Sequence, residues 1–137
     1  MLLPKKVKYR KAQRGKNRGL AVRCNQINFG EFGLKSTEGN LITSRQIEAA
    51  RRSITRYIKR GGQVWIRIFP DHPMTSKGSE TPMGSGKGTL DHFVAKVQPG
   101  TVLFELSGVS TLIAKEAFRL AGHKLPVKVK FISKDQE

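Results

Sequence analysis

The residues of this chain best suited to chemistry are cations with few acidic counterweights. Lys5, Lys6, Lys8, Arg10, Lys11, Arg14, Lys16 and Arg18 fall close together near the start, with no Asp or Glu among them. Such a run repels itself in water and cannot bury a core, so it makes physical sense as an arm laid along a polyanion. A second set, Arg45, Arg52, Arg56 and Lys59, recurs at helical spacing with Glu48 as the single acid beside it. An ordinary exposed helix alternates charge signs, and this stripe does not, which favours phosphate contact over a merely solvated face. Arginine forks two phosphate oxygens, while lysine acts as a point charge. The third set is Met83-Gly84-Ser85-Gly86-Lys87-Gly88. Its glycines let a backbone approach phosphate closely, and Lys87 adds a charge.

The whole chain agrees with these parts. It holds 26 Lys plus Arg against 10 Asp plus Glu in 137 residues, a net charge of +16. That is the electrostatic footprint of a phosphate-backbone binder, and charge needed for solubility alone would be smaller and mixed in sign. The length suits one domain with appendages: a basic arm over 1–19 and a single α+β domain over 20–137 that carries a long loop at 71–90. No stretch approaches the roughly 20 apolar residues of a spanning helix, and Met1-Leu2-Leu3-Pro4 runs straight into charge. The expectation is a soluble, unexported protein with no membrane partner. A lone Cys24 excludes an internal disulfide and a Cys-based zinc knuckle, and is expected as a small buried hydrophobe in a reducing compartment.

Other chemistries are poorly supported. The run from Gly84 to Thr89 looks like the phosphate loop of adenylate kinases, but Thr81 stands where that pattern needs glycine. The pattern also needs a buried strand before it and a helix after it, and neither is predicted here. His72, His92 and His123 share no ligand spacing and have no Cys or acidic cluster beside them, so neither a metal nor a cofactor is expected. Asp71 and Asp91 suit turn ends better than an acid–base pair. With no nucleophile elbow or triad pattern, no catalytic residue is assigned and the chain is not read as an enzyme.

The elements that must position the cations follow from local patterns. Residues 20–24 and 29–36 read as short strands. Thr43 with Gln46 forms a capping box and Ile42 with Ile47 a hydrophobic staple, opening a helix through Ala50, Ile54 and Ile58. Gly61-Gly62 suit its left-handed C-cap. Residues 63–69 alternate as a strand. Residues 71–89 have almost no aliphatic content and read as a loop without a hydrophobic reason to fold back. Residues 93–98 and 101–106 flank Pro99-Gly100, a type II turn, and are predicted to pair as a hairpin. A second helix spans 111–121, capped by Ser110 and ended by Gly122, with Ile113, Ala117, Leu120 and Ala121 inward. A last strand covers 127–132, with Lys128 and Lys130 outward. Trp65, Phe69, Phe93, Phe104 and Phe131 lie on strands and read as core, leaving Tyr9 as the aromatic free to stack on a base. The sum is an α+β fold, two helices packed on a mixed or antiparallel sheet.

Several of these segments are familiar as they stand. Met1-Leu2-Leu3-Pro4-Lys5, the helix from Ile42 to Arg52, the strand from Gly61 to Asp71, the loop from Pro82 to Gly88, Val102-Leu103-Phe104-Glu105 and the run from Ala121 to Pro126 occur in this order. Together they closely resemble bacterial-type large-subunit ribosomal protein sixteen over essentially the whole chain. The resemblance implies a structural constituent of the large ribosomal subunit of a bacterium or organelle. Its partners would be the large-subunit rRNA, neighbouring ribosomal proteins, and A-site and P-site tRNA near the peptidyl transferase centre, toward which the glycine-rich loop would point. It implies a cytoplasmic or organellar ribosome as the location and a role in translation and subunit assembly. The rRNA would perform peptide transfer while the protein positions through phosphate contacts.

Two departures stand out. Relatives commonly carry Arg directly before the Met-Gly of the loop, a position hydroxylated in some bacteria, and Pro82 stands here, so that modification is not expected. Proline also removes a charge and a donor. Where relatives have an aromatic pair with Trp, this chain reads Asp91-His92-Phe93, with Phe93 as the core replacement. Two readings from other classes make distinct demands. A nucleotide-binding enzyme using residues 84–89 requires saturable nucleotide affinity. A nonspecific DNA binder would hold duplex DNA as tightly as folded rRNA at matched salt.

Overall fold

The computed structural model describes every residue except Arg60, residues 79–82, Ser85 and Glu137, and Gln136 in its backbone alone. Residues 1–31 form neither helix nor strand. There follow β1 (Phe32–Ser36), β2 (Asn40–Thr43), α1 (Ser44–Ile58), β3 (Gln63–Ile66), β4 (His72–Ser76), β5 (Thr89–Val97), β6 (Val102–Ser107), α2 (Thr111–Gly122), β7 (Val129–Ser133) and a 3-10 turn at Lys134–Gln136. Every strand pairing is antiparallel, in a four-stranded sheet ordered β3-β6-β1-β7 and a three-stranded sheet ordered β2-β5-β4. The α+β class is as the sequence implies, with the strands divided between two sheets.

α1 begins where its side chains dictate. The Gln46 N–H donates to Thr43 Oγ1 at 3.2 Å and the Thr43 N–H donates to Gln46 Oε1 at 3.0 Å, which satisfies two otherwise unpaired amides. Ile42 and Ile47 are fully buried beside this cap, and Ala50, Ile54 and Ile58 continue the buried stripe. Each fully buried isoleucine contributes about 1.5–3 kcal/mol. The stripe packs α1 against α2 and onto β2, β3 and β5, so this helix joins both sheets in one core with Phe104, Leu106 and Phe118. The helix end differs from the glycine reading. Lys59 takes the left-handed cap at φ 53°, its N–H donating to Thr55 O at 3.1 Å. Gly62 serves a different purpose: a Cβ there would lie 2.5 Å from the Ser107 carbonyl oxygen, so glycine lets β3 approach β6.

Seven further readings are corrected. Residues 20–24 make isolated ties, Ala21 N–H to Pro99 O at 3.0 Å and Val102 N–H to Cys24 O at 2.7 Å, and no ladder. Cys24 is half-buried with φ 55° and not a core residue, and burial pushes its thiol pKa up. The loop at 71–90 contains β4, which pairs along β5 with Pro73 opposite Phe93, leaving 77–88 as the hairpin connection. The Pro99-Gly100 turn forms, with Gly100 at φ 95° and the Thr101 N–H on Gln98 O at 3.2 Å, but it is a corner between sheets and β5 does not pair with β6. In α2 the buried face is Ala114, Ala117, Phe118 and Ala121, while Ile113 is exposed. Gly122 lies inside that helix, capped by a right-handed His123. Phe69, read as core, is exposed, whereas Phe104 is fully buried.

Candidate nucleic-acid interface

The arm lies on the three-stranded sheet, held by backbone carbonyls and by the side chains of Asn17 and Lys11. Asn17 Nδ2 donates to Val97 O at 2.8 Å, Lys96 Nζ to Arg14 O at 2.9 Å and Gln98 Nε2 to Arg18 O at 2.8 Å. Lys87 Nζ donates to Ala12 O, and Lys11 Nζ returns a bond to Lys87 O at 3.4 Å. Leu2 packs against the main core. Lys5, Lys6, Lys8, Arg10, Lys11, Arg14, Lys16 and Arg18 are all exposed. Tyr9 is 71% exposed, with the Lys8 ammonium 5.7 Å from its ring centroid. The structure thus brings arm and hairpin together, and Lys87 is turned toward the arm backbone. His72 sits in the seam between them. Burial and then Lys96 lower its pKa, with Asp71 opposing, so the imidazole is neutral at neutral pH and adds no repulsion to the lysines.

The segment joining arm to β1 is anchored by a buried carboxylate that sequence reasoning misses. Glu105, fully buried on β6, accepts at Oε1 from the amides of Asn28, Phe29 and Gly30 at 3.0, 2.8 and 2.9 Å. Its Oε2 pairs with Arg67, whose Nη1 also reaches Gln26 O at 3.2 Å and whose guanidinium lies 5.0 Å from the Phe29 ring centroid. Phe29 in turn stacks on Trp65 at 6.2 Å. Burial pushes the carboxyl upward, but the Gly30 amide, Arg67 and the Phe29 amide outweigh it, so the pKa lies below the ordinary value. The available signal was an acid inside the apolar run Val102–Ser107 and an Arg just beyond the neighbouring strand.

Arg45, Arg52, Arg56 and Lys59 are exposed on α1 as the stripe predicts. They are not equivalent. Glu48 takes Arg51 and, at 3.1 Å, Arg52, and its carboxyl is held down to about 2, first by the Arg51 hydrogen bond. Among the described residues no ion pair engages Arg45, Arg56 or Lys59. Lys59 holds a left-handed backbone that costs a non-glycine residue about 1–2 kcal/mol. Lys59→Gly is therefore expected to raise the melting temperature by about 4 °C while weakening rRNA binding. Calorimetry and filter binding on the same sample check both signs.

At the hairpin tip Met83 is 97% exposed, and Gly84 and Gly86 hold φ 106° and 105°, with no heavy atom within 4 Å of where a Cβ would stand on either. Lys77 Nζ donates to Gly84 O, and Gly88 lies against Ser76 where the strands close. Ser85 and Pro82 lie outside the described residues. Behind the glycines runs β5, not a helix, so the helix N-terminus that a kinase-type phosphate loop requires is missing from this position. Among the described residues no group of three or more His, Cys, Asp or Glu could hold a metal ion.

The family model of ribosomal protein L16p/L10e matches residues 4–132, from the arm through β7. The chain belongs to this family. It is accordingly a structural protein of the large ribosomal subunit, of a non-enzymatic class, working in translation among rRNA and other ribosomal proteins, in a cytoplasmic or organellar ribosome. No helix among the described residues is long and apolar enough to cross a membrane. Within this L16p/L10e chain the Asp91-His92-Phe93 departure sits on β5. His92 is exposed and bonded to Asp91 at 2.6 Å, and Phe93 is half-buried opposite Pro73.

Proposed function

We propose that this protein binds large-subunit rRNA through the phosphate-directed cations of its arm and of α1, and that the β4–β5 hairpin tip approaches A-site and P-site tRNA near the peptidyl transferase centre. The observation that carries the rRNA reading is the division of labour along the arm. Its backbone carbonyls are tied to the fold while its eight cationic side chains stay exposed. Ordering the backbone in advance lowers the entropic cost of laying the charges on a polyanion. Arg45, Arg56 and Lys59 extend the same chemistry to α1. The tip reading is supported by Gly84 and Gly86, whose bare backbone offers close approach without obstruction, beside the exposed Met83.

Sedimentation of a tagged copy from lysate, with sequencing of the co-migrating rRNA and a stepwise rise in salt, tests the reading. Co-migration with the large subunit and release only at high salt is expected. A full-length, well-expressed protein that remains at the top of the gradient overturns it.

A further inference from the structure

The helical pattern of α2 predicts that Ile113 and Leu120 enter the core, yet both line an open cleft of about 1130 Å³ between α1 and α2. Ile58 completes its apolar floor, and the exposed ring of Tyr57 stands beside it. The rim carries Arg56, Lys59 and Lys124, and no acid occurs among the described lining residues. The volume slightly exceeds the roughly 300–1,000 Å³ of pockets that hold compact organic ligands. An apolar floor beneath a cationic rim asks for an occupant that is flat and apolar at one end and anionic at the other. A nucleotide has that form. An RNA duplex would seat only phosphates and leave the floor wet, whereas unpaired RNA splays bases onto aromatic side chains.

We propose that this cleft receives an unstacked nucleotide of the large-subunit rRNA, its base against Tyr57 and Ile113 and its phosphates on Arg56, Lys59 and Lys124. The proposal rests on the rRNA reading above and assigns it a site for a base as well as for phosphates. An acidic segment of a neighbouring protein would match the rim. The aromatic ring beside the floor and a net charge of +16 favour the polyanion.

The test measures full-chain binding to folded large-subunit rRNA across a salt series, together with ultraviolet cross-linking of isolated large subunits and mass spectrometry of the nucleotide-bearing peptides. Tyr57→Ala, at an exposed helical position that alanine suits, is expected to weaken binding about ten-fold with an unchanged salt slope, because stacking releases no counterion. Arg56→Gln is expected to reduce that slope by about one. The peptide containing Tyr57 should carry a nucleotide. Wild-type affinity in Tyr57→Ala with nucleotides on arm peptides alone overturns the cleft proposal and leaves the rRNA reading intact. A cross-link from the cleft to another ribosomal protein overturns it in favour of a protein occupant. Failure of the unmodified chain to bind rRNA or enter subunits removes both readings.

Discussion

Glu105→Ala is expected to cost about 3–5 kcal/mol of folding stability, a large fraction of the roughly 5–15 kcal/mol that holds a domain together. The substitution removes the acceptor for three backbone amides and leaves Arg67, whose side chain is 12% exposed, beside an empty site. Arg67→Met should cost less, because the carboxylate keeps its three amide donors when the guanidinium is gone. That order, read from denaturant midpoints, is the decisive comparison. If Arg67→Met costs as much as Glu105→Ala, the ion pair holds the segment and the amide cradle is secondary. Folding lowers the Glu105 pKa, so the unfolded chain takes up this proton more readily than the folded one. Its stabilisation is complete above the unfolded carboxyl value of about 4.3 and is lost as the pH falls through the folded value. Glu105→Gln should flatten that acid limb. Amide exchange at Asn28, Phe29 and Gly30 should accelerate first, loosening the root of the arm while β1 persists.

What was legible in the sequence was chemistry that acts over a few residues. The capping box at Thr43 and Gln46, the α1 stripe of Ile47, Ala50, Ile54 and Ile58, and the Ser110 cap of α2 depend on neighbours within one or two turns. β4 was not legible because backbone hydrogen bonds to β5, and not an apolar pattern, recruit it. As the edge of its sheet it also tolerates Pro73, which a central strand would not. The Pro99-Gly100 turn identified a reversal but not its geometry, since a type II turn serves a hairpin and a sheet corner alike. In the candidate site the residue types were readable and their commitments were not. Arg52 is shared with Glu48, and Lys87 is turned to the arm carbonyls, which only packing reveals. Glu105 becomes an anchor only where the strands set it under three amides that lie about 75 residues away in sequence.

Neutralising the arm should have the largest effect on binding. With Lys5, Lys6, Lys8, Arg10, Lys11, Arg14, Lys16 and Arg18 all changed to Gln, most of the salt dependence of rRNA binding is expected to disappear. Each phosphate neutralised releases counterions and contributes about 0.7–0.9 to the slope of log K against log salt. A chain making about 6–10 such contacts loses about 10³–10⁵ in affinity between roughly 50 and 200 mM salt. The unmodified protein should fall in that range, and the neutralised one should bind weakly at low salt and keep only the smaller slope that the α1 cations supply. Glutamine preserves the fastening, because the donors Asn17, Lys87, Lys96 and Gln98 are untouched and their acceptors are backbone carbonyls. Of the bonds that fasten the arm, the one from Lys11 to Lys87 O uses a side chain that is changed, so the melting temperature should hardly move. Changing Arg45, Arg56 and Lys59 to Gln together should lower the slope by about 3 at most. A neutralised arm that left the slope intact, with the α1 triple variant abolishing it, would shift the phosphate contacts to the helix and reduce the arm to a structural strap.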